Sequence, residues 1–357
     1  MELKGSKMVI IFLTLMILEI AAIIVITSWL KKRGKDFIYW LLSIIVFFVV
    51  FIVAAKFMLF PPVMEIAAGG KYKIGSVDYW ITESKPDPYS NNDDLRQIQV
   101  RKWFPVESET ELPVIVASHG SCGTIDNNRT LYRELASHGY TVLAVVHSGQ
   151  AAEITYENGK TAGPDPKYLK QMMTLQPQKD KESAVNVFRE WMMIRTDDLN
   201  AVMDDYIEKE GNTDFVVMGH SAGGSAAYAM ARIRDDVIGC AALESPFMYD
   251  ILGIENGEYI FTEEDYDVPL LSIYSDSGYP HLRDWDQYKN NVKFLDSDDE
   301  KYTNIYYEGT GHMGLCDLSL ASPVLTVLLD GRIHKTDARI QLERINSDFL
   351  IWLHQFT

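Results

Sequence analysis

The sequence of 357 residues contains few cysteines, and positive charge is scarce in most of it. Cys122, Cys240 and Cys316 form no closely spaced pair and no cysteine–histidine cluster, which argues against a structural zinc site. An odd number of cysteines cannot be fully paired within one chain, although a Cys122–Cys316 disulfide remains open. The first sixty residues hold seven Lys and Arg but only three Asp and Glu, so the net charge of −17 becomes −21 over residues 61–357. So acidic a region should repel nucleic acid, and we expect no nucleic-acid partner.

Long hydrophobic runs are absent after residue 60, but two precede it. Residues 8–30 are apolar except for Glu19, and residues 37–60 are apolar except for Lys56 near the end. At about 1.5 Å per residue, either run is long enough to cross a hydrocarbon core of roughly 30 Å as a helix. The pattern therefore predicts a transmembrane helical hairpin over residues 1–62, followed by a catalytic domain over residues 63–357.

The link between the two apolar runs indicates which side of the membrane the larger domain occupies. KKRGKD at 31–36 has four positive charges in six residues. Loops of this kind stay in the cytoplasm, which places both termini outside it. Lys4 and Lys7 favour the opposite orientation more weakly. We expect an integral protein of the cell membrane with an extracytoplasmic catalytic domain, contacting the bilayer through residues 8–60.

After residue 70 the sequence alternates short strand patterns with helix patterns. Apolar, β-branched runs separated by helices are typical of a mostly parallel sheet covered on both faces, and the earliest strands would form its antiparallel edge. The predicted strands are 72–81, 98–105, 114–120, 140–148, 214–221, 237–246, 269–277 and 304–312, and the predicted helices lie near 129–138, 182–210, 223–234, 284–291 and 337–356. The polar segment 83–94 reads as an exposed loop. Residues 149–181 have no clear period, so a lid and a plain surface excursion both remain open.

The clearest chemical signal is GHSAGG at 219–224, which matches G-x-S-x-G. A strand pattern runs into it and a helix pattern leaves it, which is the setting of the nucleophile turn of the α/β-hydrolase fold. Small neighbours are needed where the turn brings backbones together. Ser221 is therefore the predicted nucleophile.

A serine hydroxyl needs a base and a site that stabilises the oxyanion. His312 follows the last predicted strand in EGTGHMG, and it comes after the serine, as the order of this fold requires. The backbone N–H of Ala222 is one expected oxyanion donor. The other should come from the turn SHGSCG at 118–123, where Ser121 is the predicted donor and Cys122 the alternative.

The acid of the triad is the most open assignment. In many hydrolases it stands two residues beyond the position of Asp276, but that residue is Gly278 here. Glu244 ends the preceding strand in CAALESP, where a carboxylate can reach the same histidine. We favour Glu244 over Asp276, with Asp267 third. The acid would fix the tautomer of His312 and stabilise its charged form.

Whole blocks of the sequence resemble the platelet-activating factor acetylhydrolase family of serine esterases. The blocks are SHGSCG (118–123), LASHGYTVLAVVH (135–147), GHSAGGSAA (219–227), CAALESPF (240–247), PLLSIYSDS (269–277) and EGTGHMGLCDLS (307–319), within roughly residues 98–355. The resemblance implies a Ser–acid–His triad in which the family's aspartate falls on Glu244. It also implies oxyanion donors at Ser121 and Ala222, and cleavage of short acyl groups, often from phospholipids, without a metal. The paired apolar runs and the small Ala222 depart from the family pattern.

These residues predict a serine carboxylic-ester hydrolase that needs no cofactor and no metal. It would act through an acyl-enzyme on short-acyl or lipophilic, phospholipid-like esters at the membrane surface. A thioesterase, acyltransferase or peptidase with the same triad remains an alternative, as does a non-catalytic membrane-anchored receptor built on a hydrolase fold. The sequence gives no oligomeric state.

Overall fold

The computed structural model of the chain describes residues 4–32, 36–90, 94–107, 112–211 and 213–357. Its helices are α1 (Lys4–Lys31), α2 (Asp36–Leu59), α3 (Arg129–Ser137), α4 (Pro166–Thr174), α5 (Lys181–Glu210), α6 (Ala222–Ile233), α7 (Lys289–Leu295), α8 (Leu318–Ala321), α9 (Pro323–Asp330) and α10 (Ala338–Leu353). Short 3₁₀ turns lie at Met248–Asp250, Tyr279–His281, Asp286–Tyr288 and His312–Leu315.

Eight of the strands form one twisted sheet, and the other four form two small ribbons. The strands are β1 (Lys73–Pro86), β2 (Leu95–Val106), β3 (Val114–Ser118), β4 (Val142–Val146), β5 (Ile154–Thr155), β6 (Thr161–Ala162), β7 (Phe215–His220), β8 (Val237–Leu243), β9 (Ile251–Glu255), β10 (Glu258–Phe261), β11 (Leu270–Ser275) and β12 (Tyr302–Tyr307). The large sheet has the order β1-β2-β4-β3-β7-β8-β11-β12. β1 and β2 pair antiparallel at one edge, and every pair from β4 to β12 is parallel.

The core has two apolar layers because the parallel strands are buried on both faces. α3 and α10 cover one face, with Leu131, Leu135 and Phe349 packed against the strands. α5, α6 and α7 cover the other, with Phe188, Tyr228 and Phe294 among their buried side chains. All the predicted strands are present, so the expected α/β fold with a mostly parallel sheet and an antiparallel edge is confirmed.

Several predicted boundaries were wrong. β1 continues to Pro86, so the start of the supposed loop at 83–94 is strand, and residues 91–93 lie outside the described residues. The helix expected at 284–291 is a 3₁₀ turn followed by α7. Cys122 and Cys316 are free thiols, so the disulfide left open above does not form in this structure.

The N-terminal region folds as two long helices in contact with each other, α1 and α2. Among the described residues, one helical segment, Trp40–Leu59, is long and apolar enough to cross a membrane, while the apolar part of α1 at Ile17–Trp29 is shorter. The two-helix membrane hairpin therefore stays a prediction. Residues 33–35 of the basic link, on which the predicted orientation depends, lie outside the described residues.

Candidate active site

Ser221 occupies a strained turn between β7 and α6. Its φ of 55° and ψ of −127° lie where side chains other than glycine are rarely found. Leu243 on the neighbouring strand accepts the N–H of Ser221 at 2.9 Å, which holds the turn. A Cβ at Gly219 would overlap the backbone of Gly223, and one at Gly223 would overlap the backbone of Ser118. Glycines at these positions therefore let three segments of backbone meet beneath the serine.

His312 and Glu244 form a direct pair. His312 begins the 3₁₀ turn that follows β12, and Glu244 follows β8 with a φ of 52°. The Nδ1 of His312 lies 2.7 Å from Oε2 of Glu244. Because an ionised carboxylate can only accept, Nδ1 carries a proton and Nε2 is left as the basic nitrogen.

The other carboxylate oxygen of Glu244 is fully occupied. Its Oε1 accepts the N–H of Ser275 at 2.8 Å, the hydroxyl of Ser275 at 2.7 Å and the N–H of Gly278 at 2.9 Å. A Cβ at position 278 would lie 2.6 Å from Oε1. The absence of a side chain at Gly278 thus makes room for the longer glutamate.

The surroundings shift the pKa values of this pair in opposite directions. Burial alone would raise the pKa of Glu244, but the hydrogen bond and charge of His312, together with the Ser275 donors, hold it below its ordinary value. Burial alone would lower the pKa of His312, but the hydrogen bond and charge of Glu244 raise it above its ordinary value. The pair therefore favours an ionised Glu244 and makes His312 a stronger base.

The competing carboxylates are engaged elsewhere. Asp276 accepts the phenol of Tyr306 at 2.6 Å and the N–H of Gly309 at 3.2 Å, and it lies 3.6 Å from the guanidinium of Arg332. Asp267 is exposed in the loop before β11. Of the three acids considered from the sequence, Glu244 is the one that the structure brings to His312.

Among the described residues, no acceptor is found for the backbone N–H groups of Ser121 and Ala222, the two donors predicted from the sequence. Ala222 is the first residue of α6, so its N–H also lies at the positive end of the helix dipole. The N–H of Cys122 donates to the carbonyl of Gln150 at 2.9 Å, so it is not free for a substrate. The geometry favours Ser121 over Cys122 as the second donor.

Comparison with known proteins agrees with this arrangement at the level of the fold. A model of the α/β hydrolase fold matches residues 113–273, a range that includes Ser121, Ser221 and Glu244 and stops before His312. The chain has the α/β hydrolase fold.

The solved structures that are similar to this chain are distant in sequence. A ferulic acid esterase from Streptomyces cinnamoneus is 17% identical, with a TM-score of 0.60 over 81% of this chain and 91% of that one. A putative dienelactone hydrolase from Klebsiella pneumoniae subsp. pneumoniae MGH 78578 is 14% identical, with a TM-score of 0.44 over 79% of this chain and 100% of that one. No curated protein matches the sequence. The finer resemblance to platelet-activating factor acetylhydrolases stays a prediction.

Two cavities of this hydrolase fold meet at Ser221 and His312. The first, of about 400 Å³, is lined mainly by apolar side chains and is called the inner cavity below. Its lining includes Met172, Leu175, Phe188, Trp191, Met248 and Trp285. The second, of about 770 Å³, is called the outer cavity, and it extends to the residues that follow α2. Ser221 and His312 line both cavities, so a substrate reaching the serine also reaches the histidine.

His220 packs against His312 and donates a hydrogen bond to its backbone. Its ring lies 4.5 Å from the ring of His312, and its Nε2 donates to the carbonyl of His312 at 3.1 Å. Burial and the neighbouring His312 lower the pKa of His220 to about 3. His220 is therefore a neutral packing partner at physiological pH.

A buried polar network behind the Ser121 turn was not predicted from the sequence. Asp198 on α5 accepts Nε of Arg96 at 2.5 Å and Nδ1 of His147 at 2.8 Å. Arg195, one helical turn earlier, donates to the carbonyl of His119 at 2.5 Å. Arg195 and Asp198 lie three positions apart on the buried face of α5. Charged residues at buried positions of a helix need partners, and this pattern in the sequence could have revealed the network.

The segment at 149–181 also contributes to the site. It contains the β5–β6 ribbon and α4, whose N-terminus is capped by Asp165. The phenol of Tyr168 on α4 donates to the hydroxyl of Ser121 at 2.8 Å, and Met172 borders both cavities. This segment is thus part of the cavity wall. The described residues include no group of three or more His, Cys, Asp or Glu side chains that could hold a metal ion.

Proposed function

We propose that the protein is a serine carboxylic-ester hydrolase anchored in the cell membrane, with its catalytic domain outside the cytoplasm. The observation that carries the proposal is the 2.7 Å contact between His312 and Glu244 beside cavities that Ser221 also lines. An imidazole oriented by a carboxylate, in cavities that a serine on a strained turn also lines, supplies the groups that activate a hydroxyl for acyl transfer.

In the proposed reaction, Ser221 Oγ attacks the ester carbonyl while Nε2 of His312 takes the hydroxyl proton. The N–H groups of Ser121 and Ala222 hold the negative oxygen of the tetrahedral intermediate. The intermediate collapses when the bond to the alcohol breaks, and His312 passes its proton to the departing alkoxide. A water molecule, deprotonated by His312, then attacks the acyl–Ser221 ester and releases the acid. Glu244 stabilises the charged imidazole in both halves.

The substrates that fit this proposal are short-acyl or lipophilic esters, including phospholipid-like ones. The inner cavity has mostly apolar walls, which suits an acyl chain. The resemblance to platelet-activating factor acetylhydrolases and the apolar helix Trp40–Leu59 both support substrates at a membrane surface. The fold alone does not select among ester substrates.

The decisive experiment compares the wild type with Ser221→Ala in labelling by a fluorophosphonate probe and in hydrolysis of p-nitrophenyl acetate. We expect the wild type to be labelled, and turnover of the variant to fall by about a millionfold because the triad acts as a unit. Full activity of Ser221→Ala would refute the assignment. A wild type that the probe does not label would favour the non-catalytic receptor. If the wild type cleaved thioesters or peptides faster than p-nitrophenyl acetate, a thioesterase or a peptidase would be favoured.

A further inference from the structure

The outer cavity is lined in part by the segment that connects α2 to the catalytic domain. Phe60, Pro61 and Val63 of this segment line the same cavity as Ser221 and His312. α2 ends at Leu59, so these lining residues directly follow the helix that we propose to cross the membrane. The cavity therefore connects the nucleophile with the level at which the chain would leave the bilayer.

Arginines hold the connecting segment in place. Glu65 pairs with Arg129 at 2.6 Å and with Arg133 at 2.8 Å, both on α3. From α10, Arg339 donates to the carbonyl of Met64 at 2.6 Å. Because these contacts fix residues 64 and 65 on two helices of the catalytic domain, the segment forms a stable wall of the cavity.

The same wall continues into an exposed apolar surface on α9. This helix contacts α2, and Leu329 both lines the outer cavity and remains 62% exposed. Leu328 beside it is 69% exposed and Met64 is 81% exposed. Large apolar side chains clustered next to a membrane helix gain from contact with acyl chains rather than water.

We propose that Phe60, Pro61, Val63 and Leu329 form a portal through which esters resident in the bilayer enter the outer cavity. This inference rests on the proposed function and names the substrate class: esters with a long apolar chain that stays partly in the membrane while the carbonyl reaches Ser221. A small soluble ester does not need this route, since it can reach the cavities from water.

The test uses the full chain reconstituted into phosphatidylcholine vesicles. One substrate is 4-methylumbelliferyl palmitate embedded in the vesicles, and the other is soluble p-nitrophenyl acetate. The portal variants are Leu329→Asp, which adds charge at an exposed position, and Val63→Trp, which narrows the opening without charge. Leu252→Asp is the matched control, because Leu252 is an exposed leucine (58%) on β9.

We expect the rate on palmitate divided by the rate on acetate to fall about tenfold in Leu329→Asp, the factor implied by lost burial of one apolar side chain. The same ratio should also fall in Val63→Trp, because the larger ring obstructs the opening. The ratio should not change in Leu252→Asp. An unchanged ratio in both portal variants, with acetate hydrolysis retained, would overturn the portal and leave the proposed function intact. If the wild type cleaves p-nitrophenyl acetate but not 4-methylumbelliferyl palmitate, the portal is overturned and the proposed function stays intact. A wild type inactive on both esters and unlabelled by fluorophosphonate would overturn both proposals.

Discussion

At the residue scale, the carboxylate that contacts His312 depends on two positions, Glu244 and Gly278. A glutamate is one methylene longer than an aspartate, and the carboxylate of Glu244 lies where a side chain at position 278 would collide with it. The sequence shows that position 278 has no carboxylate. It does not show that a side chain at this position would collide with the carboxylate of Glu244. Close approach between residues 34 positions apart is set by the sheet and is not visible in a linear pattern.

Replacing Glu244 with Gln should lower kcat for p-nitrophenyl acetate by about 10⁴-fold, because the wrong tautomer of His312 would be held and its charged form would lose its partner. Asp276→Asn is the matched variant. Its carboxylate contacts Tyr306, Gly309 and Arg332 rather than His312, so kcat should stay within about twofold, a change of less than 0.5 kcal/mol in barrier. Collapse of activity in Asp276→Asn alone would show that the acid has been misassigned.

The raised pKa of His312 predicts the pH dependence of the reaction. His312 must be neutral to accept the proton of Ser221, so activity is lost as the pH falls below the pKa of this imidazole. Because Glu244 raises that pKa above the ordinary value of 6.5, the inflection of kcat/KM should lie above pH 6.5. A pH series with p-nitrophenyl acetate measures it. Glu244→Gln should move the inflection of the residual activity to lower pH, and an unmoved inflection would contradict the pairing.

At the element scale, the strands were the most predictable parts of the chain, and the short helices the least. Each central strand is a continuous apolar run, so its position could be read directly. α9 was missed although Ser322 caps it, Pro323 begins it and Gly331 follows it with a positive φ. Its sequence, PVLTVLLD, is almost entirely apolar. An amphipathic helix is predicted from apolar and polar residues that alternate with a period of 3.6, and this sequence has no such alternation.

Asp198 on α5 pairs with Arg96 on β2, and we expect a large loss of stability when this buried carboxylate is removed. Asp198 is fully buried and balances Arg96, which is 3% exposed. Asp198→Ala would remove the closer of the two carboxylates that pair with Arg96, leaving Asp87 at 3.2 Å, and would leave Nδ1 of His147 without its acceptor. The free energy of unfolding should therefore fall by about 3–5 kcal/mol. Urea unfolding in detergent, followed by tryptophan fluorescence, measures the change.

The neighbouring Asp197 provides the control for this experiment. Asp197 and its partner Lys85 are 43% and 60% exposed, so Asp197→Ala should cost about 0–1 kcal/mol. Equal losses in the two variants would show that the buried network does not contribute as argued.

At the scale of the whole molecule, the two N-terminal helices would hold the catalytic domain at the membrane if the chain is anchored as we propose. Their composition predicted a membrane hairpin, but among the described residues only the segment Trp40–Leu59 of α2 is long and apolar enough to cross a membrane, so the hairpin stays a prediction. The sequence could not reveal that Phe60, Pro61, Val63, Glu65 and Ile66 line the outer cavity, because that depends on how the helices of the catalytic domain pack around them.

The proposed orientation predicts which side of the membrane Ser221 faces. A membrane-impermeant fluorophosphonate probe should label the wild type in intact cells as strongly as in lysed cells, and should leave Ser221→Ala unlabelled. Labelling that appears only after lysis would place the catalytic domain in the cytoplasm and reverse the orientation derived from the basic link at 31–36.

Residues 69 and 70 extend the attachment of the connecting segment, since their N–H groups donate to Glu134 and Ser137 on α3 at 2.9 Å. Because these contacts shorten the free part of the connection after α2, the catalytic domain cannot move far from the end of that helix. If the chain is anchored as we propose, enzyme and ester meet by lateral diffusion within a plane, and the frequency of encounters depends on ester molecules per unit area. Mixing inert lipid into the vesicles would then slow turnover, whereas diluting the suspension with buffer would not.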